Sequence, residues 1–159
     1  MSGEVNIRRS QAILRLPVDH VTAILILHDG HRSDVLLFIA PGEDVTDLLS
    51  PGDPFVPMVR NARFCLVARD AIAALGVPIS ARAEPDDDGD SLPVERQDAS
   101  VQLRSGVVLD GELRWTAPEG ERRTADYVND ALPFIAVHAT DADTTYYISK
   151  AQIATVEER

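Results

Sequence analysis

Residues 101–115 read VQLRSGVVLDGELRW and residues 25–39 read LILHDGHRSDVLLFI, and the two stretches follow one pattern. Each begins with apolar residues, reaches a glycine, Gly106 or Gly30, and then continues as a second apolar run. Apolar and polar residues that alternate with a period of two are typical of half-buried β-strands, and Asp-Gly or Ser-Gly marks a hairpin turn. The two stretches therefore predict two β-hairpins, one in each half of the chain.

The similarity between the halves extends beyond these hairpins. The spacing between matched positions stays nearly constant and grows only slowly along the chain, always toward longer loops in the second half. The further matches are Pro41-Gly42-Glu43 with Pro118-x-Gly120-Glu121, Asp47 with Asp126, Pro54-Phe55 with Pro133-Phe134, and Ile72 with Ile153. Similarity at a nearly fixed period is the mark of an internal repeat. We therefore interpret the chain as an internal duplication.

The duplication divides the 159 residues into three parts. The first repeat, with a short N-terminal extension, occupies residues 1–77, and the second occupies residues 98–159. Residues 78–97 between them are rich in proline and aspartate, a composition that favours a solvated linker over a packed segment.

The apolar runs predict an all-β chain with five short strands in each half. Five strands around so small a core indicate a strongly bent, small β-barrel or partly open barrel. The continuous runs Leu25–Leu27 and Val35–Ile39 predict strands that are covered on both faces. Gly111, in the middle of a predicted strand, indicates a sharp bend or bulge. Residues 5–16 fit either an added strand, which we favour, or a short helix.

The second half also carries the residues of a family resemblance. Its pattern Val101-x-Leu103-x-x-Gly106-x-x-Leu109-x-Gly111-x-Leu113, followed by Asp126-x-x-Asn129 and Tyr146-Tyr147-Ile148-x-Lys150, resembles the two signature blocks of the Sm-like family. That family includes the Sm and LSm proteins and the bacterial RNA chaperone Hfq. The resemblance spans most of residues 99–157 and, more faintly, residues 22–75. It implies two tandem Sm-like barrels, which in that family pair strand to strand into rings.

The resemblance also implies a set of ligand-facing residues. Asn129 and Lys150 fall where Sm-like proteins present such side chains, and Ser50 and Arg69 occupy the equivalent places in the first half. An Asn amide can pair with a base edge and a Lys ammonium can meet a phosphate. These four residues are the candidate binding residues.

The sequence argues against several other classes of function. The net charge of −11 disfavours a general binder of nucleic-acid backbones, so RNA binding would need a local basic patch. His28 and His31, with His20 nearby, would flank the Asp29-Gly30 turn and not share a face, and the distant Cys65 does not complete the four ligands of a structural zinc site. Cys65 also lies in an apolar run typical of a core, so we expect no metal, no cofactor and no catalytic residue. The longest apolar runs are too short to span a bilayer, and no targeting segment is evident, so we expect a cytoplasmic protein.

Within these limits we expect a non-enzymatic assembly or adaptor module. Open barrels leave unpaired strand edges that need a cover, which predicts binding to protein partners or to other copies of the chain, including a homo-oligomeric ring. The alternative is an Sm-like RNA or nucleotide binder that uses the four candidate residues. A small-molecule sensor is a third hypothesis, for which the sequence indicates no ligand.

Overall fold

The computed structural model describes residues 19–78, 94–116, 120, 123–140 and 143–159. Within these ranges the chain is mainly β-structure, as the apolar alternation predicts. The ambiguous segment at residues 5–16 and most of the predicted linker lie outside the described residues.

The first half contains five strands joined by short connections. Two short 3₁₀ turns lie between them, at Val45–Leu48 and at Arg69–Ala71. The strands are β1 (Asp19–Leu27), β2 (Arg32–Ile39), β3 (Phe55–Arg60), β4 (Arg63–Ala68) and β5 (Ile72–Pro78).

The second half contains five further strands in the same sequence of elements. A short helix, α1 (Thr124–Val128), takes the place of the first 3₁₀ turn, and a 3₁₀ turn at Lys150–Gln152 takes the place of the second. The strands are β6 (Val94–Leu103), β7 (Val108–Thr116), β8 (Phe134–Ala139), β9 (Thr144–Ser149) and β10 (Ile153–Glu158). Because β6 begins at Val94, residues 94–97 are strand and not part of the predicted linker.

All ten strands belong to one antiparallel sheet with the order β10-β6-β7-β8-β9-β5-β1-β2-β3-β4. The order β10-β6-β7-β8-β9 in the second half repeats the order β5-β1-β2-β3-β4 in the first. The described strands form one continuous sheet that does not close, and this strand order does not by itself establish the two tandem barrels that the sequence predicts. Strands β4 and β10 are the two ends of the sheet.

The two halves meet where β5, the fifth strand of the first half, pairs with β9, the fourth strand of the second. Leu75 lies opposite Tyr147 in this antiparallel ladder, and Gly76 lies opposite Tyr146. The Tyr146 hydroxyl also accepts a hydrogen bond of 2.5 Å from the Arg32 guanidinium of the first half. We call this β5–β9 contact the internal junction.

Two hydrophobic cores lie on opposite faces of the sheet at the internal junction. The row Leu25, Leu75 and Tyr147 belongs to the core of the first half, which we call core 1. The neighbouring row Ile26, Ala74 and Ile148 belongs to the core of the second half, which we call core 2. Because successive side chains of a strand point to opposite faces, β5 and β9 contribute to core 1 with one face and to core 2 with the other.

This arrangement explains which strands are covered on both faces. Every residue of Ile72–Val77 is buried, because β5 contributes to both cores. The prediction for Leu25–Leu27 agrees, since both Leu25 and Ile26 are fully buried. The prediction for Val35–Ile39 is wrong: Leu36 and Phe38 are only half-buried, because the β2 strand contributes to core 1 alone.

Gly111 lies where β7 begins to pair with β8. The pairing of β7 with β6 runs through Gly111 without a shift in register, so the described ladder has no bulge at this residue, and the pairing with β8 begins at Gly111. A Cβ at this position would lie 2.2 Å from the backbone oxygen of His138, so the absence of a side chain admits the β8 backbone. The register shifts lie instead between Ile26 and Leu27, and between Ile153 and Thr155.

The internal junction predicts a specific response to substitution of Gly76. A Cβ added there would lie 2.6 Å from the Tyr146 ring, so we expect Gly76→Ala to lower the free energy of unfolding by about 1–3 kcal/mol. In a Tyr146→Ala background the clash is removed, and the same substitution should cost less than half as much. Urea denaturation of the four proteins measures this coupling, and equal losses in both backgrounds would contradict the packing described.

The turn between β3 and β4 predicts a stabilising substitution. Asn61 and Ala62 both have positive φ, at 53° and 61°, in the two-residue turn between Arg60 and Arg63. A left-handed conformation costs alanine about 1–2 kcal/mol and costs glycine little. Ala62→Gly should therefore raise the free energy of unfolding by about 0.5–1 kcal/mol, and Asn61→Gly by less, because Asn tolerates this region. Chemical denaturation checks the order, and a destabilised Ala62→Gly variant would overturn it.

Candidate functional site

The structure brings Arg69 and Ser50, two of the four candidate residues, into direct contact. Arg69 follows β4, and its guanidinium donates hydrogen bonds to the backbone oxygens of Asp53 at 2.7 Å and Ser50 at 2.8 Å. It also donates to the oxygen of Leu48. The Ser50 hydroxyl donates to the oxygen of Thr46 at 3.1 Å. Arg69 thus holds the loop between β2 and β3 in place.

Lys150 occupies the matching place in the second half. Its ammonium donates to the carboxylate of Asp130 at 2.7 Å and to the backbone oxygen of the same residue at 3.0 Å. Asn129, the residue before Asp130, is exposed and ends α1, with its backbone N–H donating to the oxygen of Ala125. Lys150 therefore fixes the loop next to Asn129, as Arg69 fixes the loop that contains Ser50.

These contacts give both cations a structural role. A phosphate that approached Arg69 or Lys150 would have to displace backbone oxygens or the Asp130 carboxylate from the charged groups. Hydrogen bonds from charged donors are among the stronger ones in proteins, so this displacement is costly.

The role of Arg69 predicts a loss of stability on its replacement. Arg69→Met keeps the apolar stem but removes the donors to the loop oxygens, so the free energy of unfolding should fall by about 1–3 kcal/mol. Arg123→Met is the matched control, because the Arg123 side chain is 80% exposed and forms its ion pair with Asp126 on the surface. We expect that control to change stability by less than about 0.5 kcal/mol. Thermal unfolding of both variants measures the difference, and equal effects would refute the structural role.

The shifted pKa values reflect local structural contacts. The hydrogen bond from Arg114 lowers the pKa of Glu112, and the hydrogen bond from Arg123 lowers that of Asp126. Burial raises the pKa of Tyr127, whose ring stacks on Trp115 with centroids 5.1 Å apart.

In the parts of the chain that the structure describes, no three His, Cys, Asp or Glu side chains are grouped to hold a metal, and no helix has the length and apolarity needed to cross a membrane.

The terminal strand β4 carries an exposed apolar surface that the sequence analysis missed. Phe64 is 68% exposed, Leu66 58% and Phe55 56%. Pro57 lies opposite Leu66 and is also exposed, and all four side chains lie on the face of β3 and β4 that points away from core 1. We call Phe55, Pro57, Phe64 and Leu66 the β4 patch. Three large exposed apolar side chains on one sheet edge are typical of an interaction surface.

The second half shows what happens when the same positions are covered. Phe134, Ala136 and Tyr147 correspond to Phe55, Pro57 and Leu66 when the two halves are aligned strand by strand. All three pack against core 1, because β5 pairs with β9 and brings that core alongside. The β4 patch is exposed because no strand of the described chain pairs with the free edge of β4.

Strand β10 is the other free edge and corresponds to β5. Ile153 and Val156 are half-buried and pack against core 2, whereas residues 154, 155, 157 and 158 are exposed. The corresponding strand β5 is buried from Ile72 to Val77 because β9 and the second half cover it. Both edges follow from the order of the strands in the sheet, which local sequence patterns do not encode.

Comparisons with known proteins add no assignment. No family model matches the sequence, and neither the curated proteins nor the solved structures include a significant match.

Proposed function

We propose that this protein is a non-catalytic assembly module made of two Sm-like units, which associates with further copies of itself through β4 and β10. The single observation that carries the proposal is the internal junction, where a fifth strand, β5, pairs with a fourth strand, β9. The free edges are the remaining fourth strand, β4, and the remaining fifth strand, β10. One chain therefore offers both sides of the same kind of contact.

The internal junction supplies a register for contact between chains. In a contact between chains, β10 would take the place of β5, and β4 would take the place of β9. The alignment that matches Ile72 with Ile153 also matches Leu75 with Val156, and Tyr147 matches Leu66. Because Leu75 lies opposite Tyr147 in the internal junction, Val156 of one chain would lie opposite Leu66 of the next. The pairing of β10 with β6 supports this alignment, because Val101 lies opposite Val156 as Leu25 lies opposite Leu75. In this register the β4 patch of one chain extends core 2 of the next, beginning at Val156.

The energetics favour repeated, reversible contacts. Full burial of a Leu or Phe side chain contributes about 1.5–3 kcal/mol, and pairing the free edges satisfies backbone groups as well. Association of two proteins costs about 4–15 kcal/mol in lost freedom of motion, so one such contact is weak. A β4-to-β10 contact is head-to-tail, and such contacts generate closed rings or open filaments. We propose a ring, because closure covers both edges of every chain.

RNA or nucleotide binding is less well supported as the function. The candidate residues Ser50, Arg69, Asn129 and Lys150 lie between strands, and the two cations, which begin 3₁₀ turns, are engaged by oxygens of the same chain. The net charge of −11 opposes every phosphate contact. A hexanucleotide titration at about 50 mM salt, where phosphate contacts are strongest, is the direct test of this alternative.

Replacing Leu66 tests self-association. The unmodified chain should show a mass above that of one chain in size-exclusion chromatography with light scattering, and Leu66→Lys should weaken association about tenfold or more, because a charge would replace a buried apolar contact. Leu132→Lys is the matched control, since Leu132 is 52% exposed but lies in the loop before β8. It should associate like the unmodified chain.

Two outcomes would overturn the proposal. The first is a strict monomer for the unmodified chain at high micromolar concentration. The second is an assembly that Leu66→Lys leaves unchanged, because the contact would then lie elsewhere.

A further inference from the structure

The internal junction contains an uncharged contact, between Gly76 and Tyr146, at a place where the terminal strands β4 and β10 carry charged residues. Gly76 lies opposite Tyr146, and a Cβ added to Gly76 would lie 2.6 Å from the Tyr146 ring and 3.2 Å from Cγ2 of Thr144. A side chain at position 76 would thus point toward these two residues. The internal junction has no room for a side chain at position 76, because the Tyr146 ring occupies the space.

The corresponding residues of the terminal strands follow from the alignment that matches Leu75 with Val156 and Tyr147 with Leu66. Glu157 takes the place of Gly76, the small Cys65 takes that of Tyr146, and Arg63 takes that of Thr144. In the register of the internal junction, the Glu157 side chain therefore gains the space that the tyrosine ring fills. It then points toward the Arg63 guanidinium of the next chain.

We propose that Glu157 of one chain forms an ion pair with Arg63 of the next, and that this pair selects β4-to-β10 contacts over other pairings of the edges. The inference rests on the proposed function, since it assigns the charged contact of the same interface. Charge-assisted hydrogen bonds between Arg and a carboxylate are strong and geometrically specific.

A second arginine borders the same place. Arg60 lies opposite Arg63 across the turn between β3 and β4, so the two side chains share a face. The Nε atom of Arg60 is buried and has no hydrogen-bond partner among the described residues. A carboxylate arriving from β10 would meet two guanidinium groups, one of which has an unused donor.

The surroundings of Glu157 in its own chain add negative charge. Glu157 lies opposite Ser100, whose hydroxyl donates a hydrogen bond to Asp110. Arg159, which the same register places opposite Arg63, is 3.8 Å from the Asp110 carboxylate. The two carboxylates, Asp110 and Glu157, therefore offset the positive charges of Arg159 and Arg63 across the contact.

The charges disfavour the symmetric alternatives. Pairing β4 with β4 would bring the arginines at positions 60 and 63 of both chains together, and pairing β10 with β10 would bring the Glu157 carboxylates of both chains together. Like charges at close range oppose association, whereas β4 with β10 brings Glu157 to Arg63 while Asp110 offsets the charge of Arg159. The internal junction uses a neutral contact at this place, so salt should weaken contact between chains without opening the junction within a chain.

Charge reversal in the full-length chain tests the ion pair. We expect the unmodified chain to associate at about 50 mM NaCl and to dissociate progressively toward about 1 M, with unchanged circular dichroism. Glu157→Arg and Arg63→Glu should each weaken association about tenfold or more, and the double variant should recover most of it. Glu157→Gln, which removes the charge without reversing it, should show a smaller loss.

Mixing the two single variants gives the sharpest result. The arginine introduced by Glu157→Arg would then face the glutamate introduced by Arg63→Glu, and the native Glu157 and Arg63 would face each other at the next contact. We therefore expect the mixture to form assemblies that neither variant forms alone. Glu158→Arg is the matched control, because residue 158 lies on the opposite face of β10 and should leave association within about threefold of the unmodified chain.

The outcomes separate the inference from the proposed function. A monomeric unmodified chain at low salt would overturn both. An unmodified chain that associates, with Glu157→Arg associating equally well or the mixed variants failing to assemble, would overturn the ion pair and leave the assembly function standing.

Discussion

The pairing of β5 with β9 is the interaction on which the rest of the structure depends. It places Leu75 and Tyr147 in core 1 and Ala74 and Ile148 in core 2, so each half completes the hydrophobic core of the other. Breaking this one ladder would expose apolar side chains of both cores at once. The described halves are therefore joined in one continuous sheet, and each hydrophobic core contains side chains from both halves.

The free edges show the same strands without that cover. β4 and β10 correspond to β9 and β5 in position, yet each has one face open to solvent. Open edges invite uncontrolled pairing, and proteins commonly restrain them with short strands and charged residues. Arg63 on β4 and Glu157 on β10 meet that description. Because the two charges are opposite in sign, they disfavour pairing of β4 with β4 or of β10 with β10 and favour pairing of β4 with β10. The same charges can therefore both limit aggregation and direct assembly.

The loops illustrate why a resemblance in sequence does not by itself assign a function. Arg69 and Lys150 lie at corresponding places, immediately after a fourth strand, and each binds oxygens of the loop between the second and third strands. The two halves reach this result with different cations and different loop lengths. A cation that recurs at this place thus has a sufficient explanation in loop stability, and binding of a nucleic acid needs evidence of its own.

The strands and their turns could be read from the amino-acid sequence. Apolar alternation and the turn residues at Asp29-Gly30 and Ser105-Gly106 act locally, so the ten strands and both hairpins could be predicted from neighbouring residues. The matched spacing of the halves likewise anticipated that the strand order would repeat. The hydrogen bonds of Arg69 and Lys150 to distant backbone oxygens could not be predicted from local patterns.

Which strands are covered on both faces, and which edges remain free, depends on how the strands assemble into the sheet. Val35–Ile39 is more continuously apolar than Thr144–Ser149, yet the second of these strands is the one buried on both faces. The cause is its neighbour: β9 is joined to β5 and lies between two cores, whereas β2 contributes to one. Burial on both faces depends on contacts between residues far apart in the chain, such as Leu75 and Tyr147. Local sequence patterns carry no information about such contacts, so the exposed β4 patch became visible only in the assembled sheet.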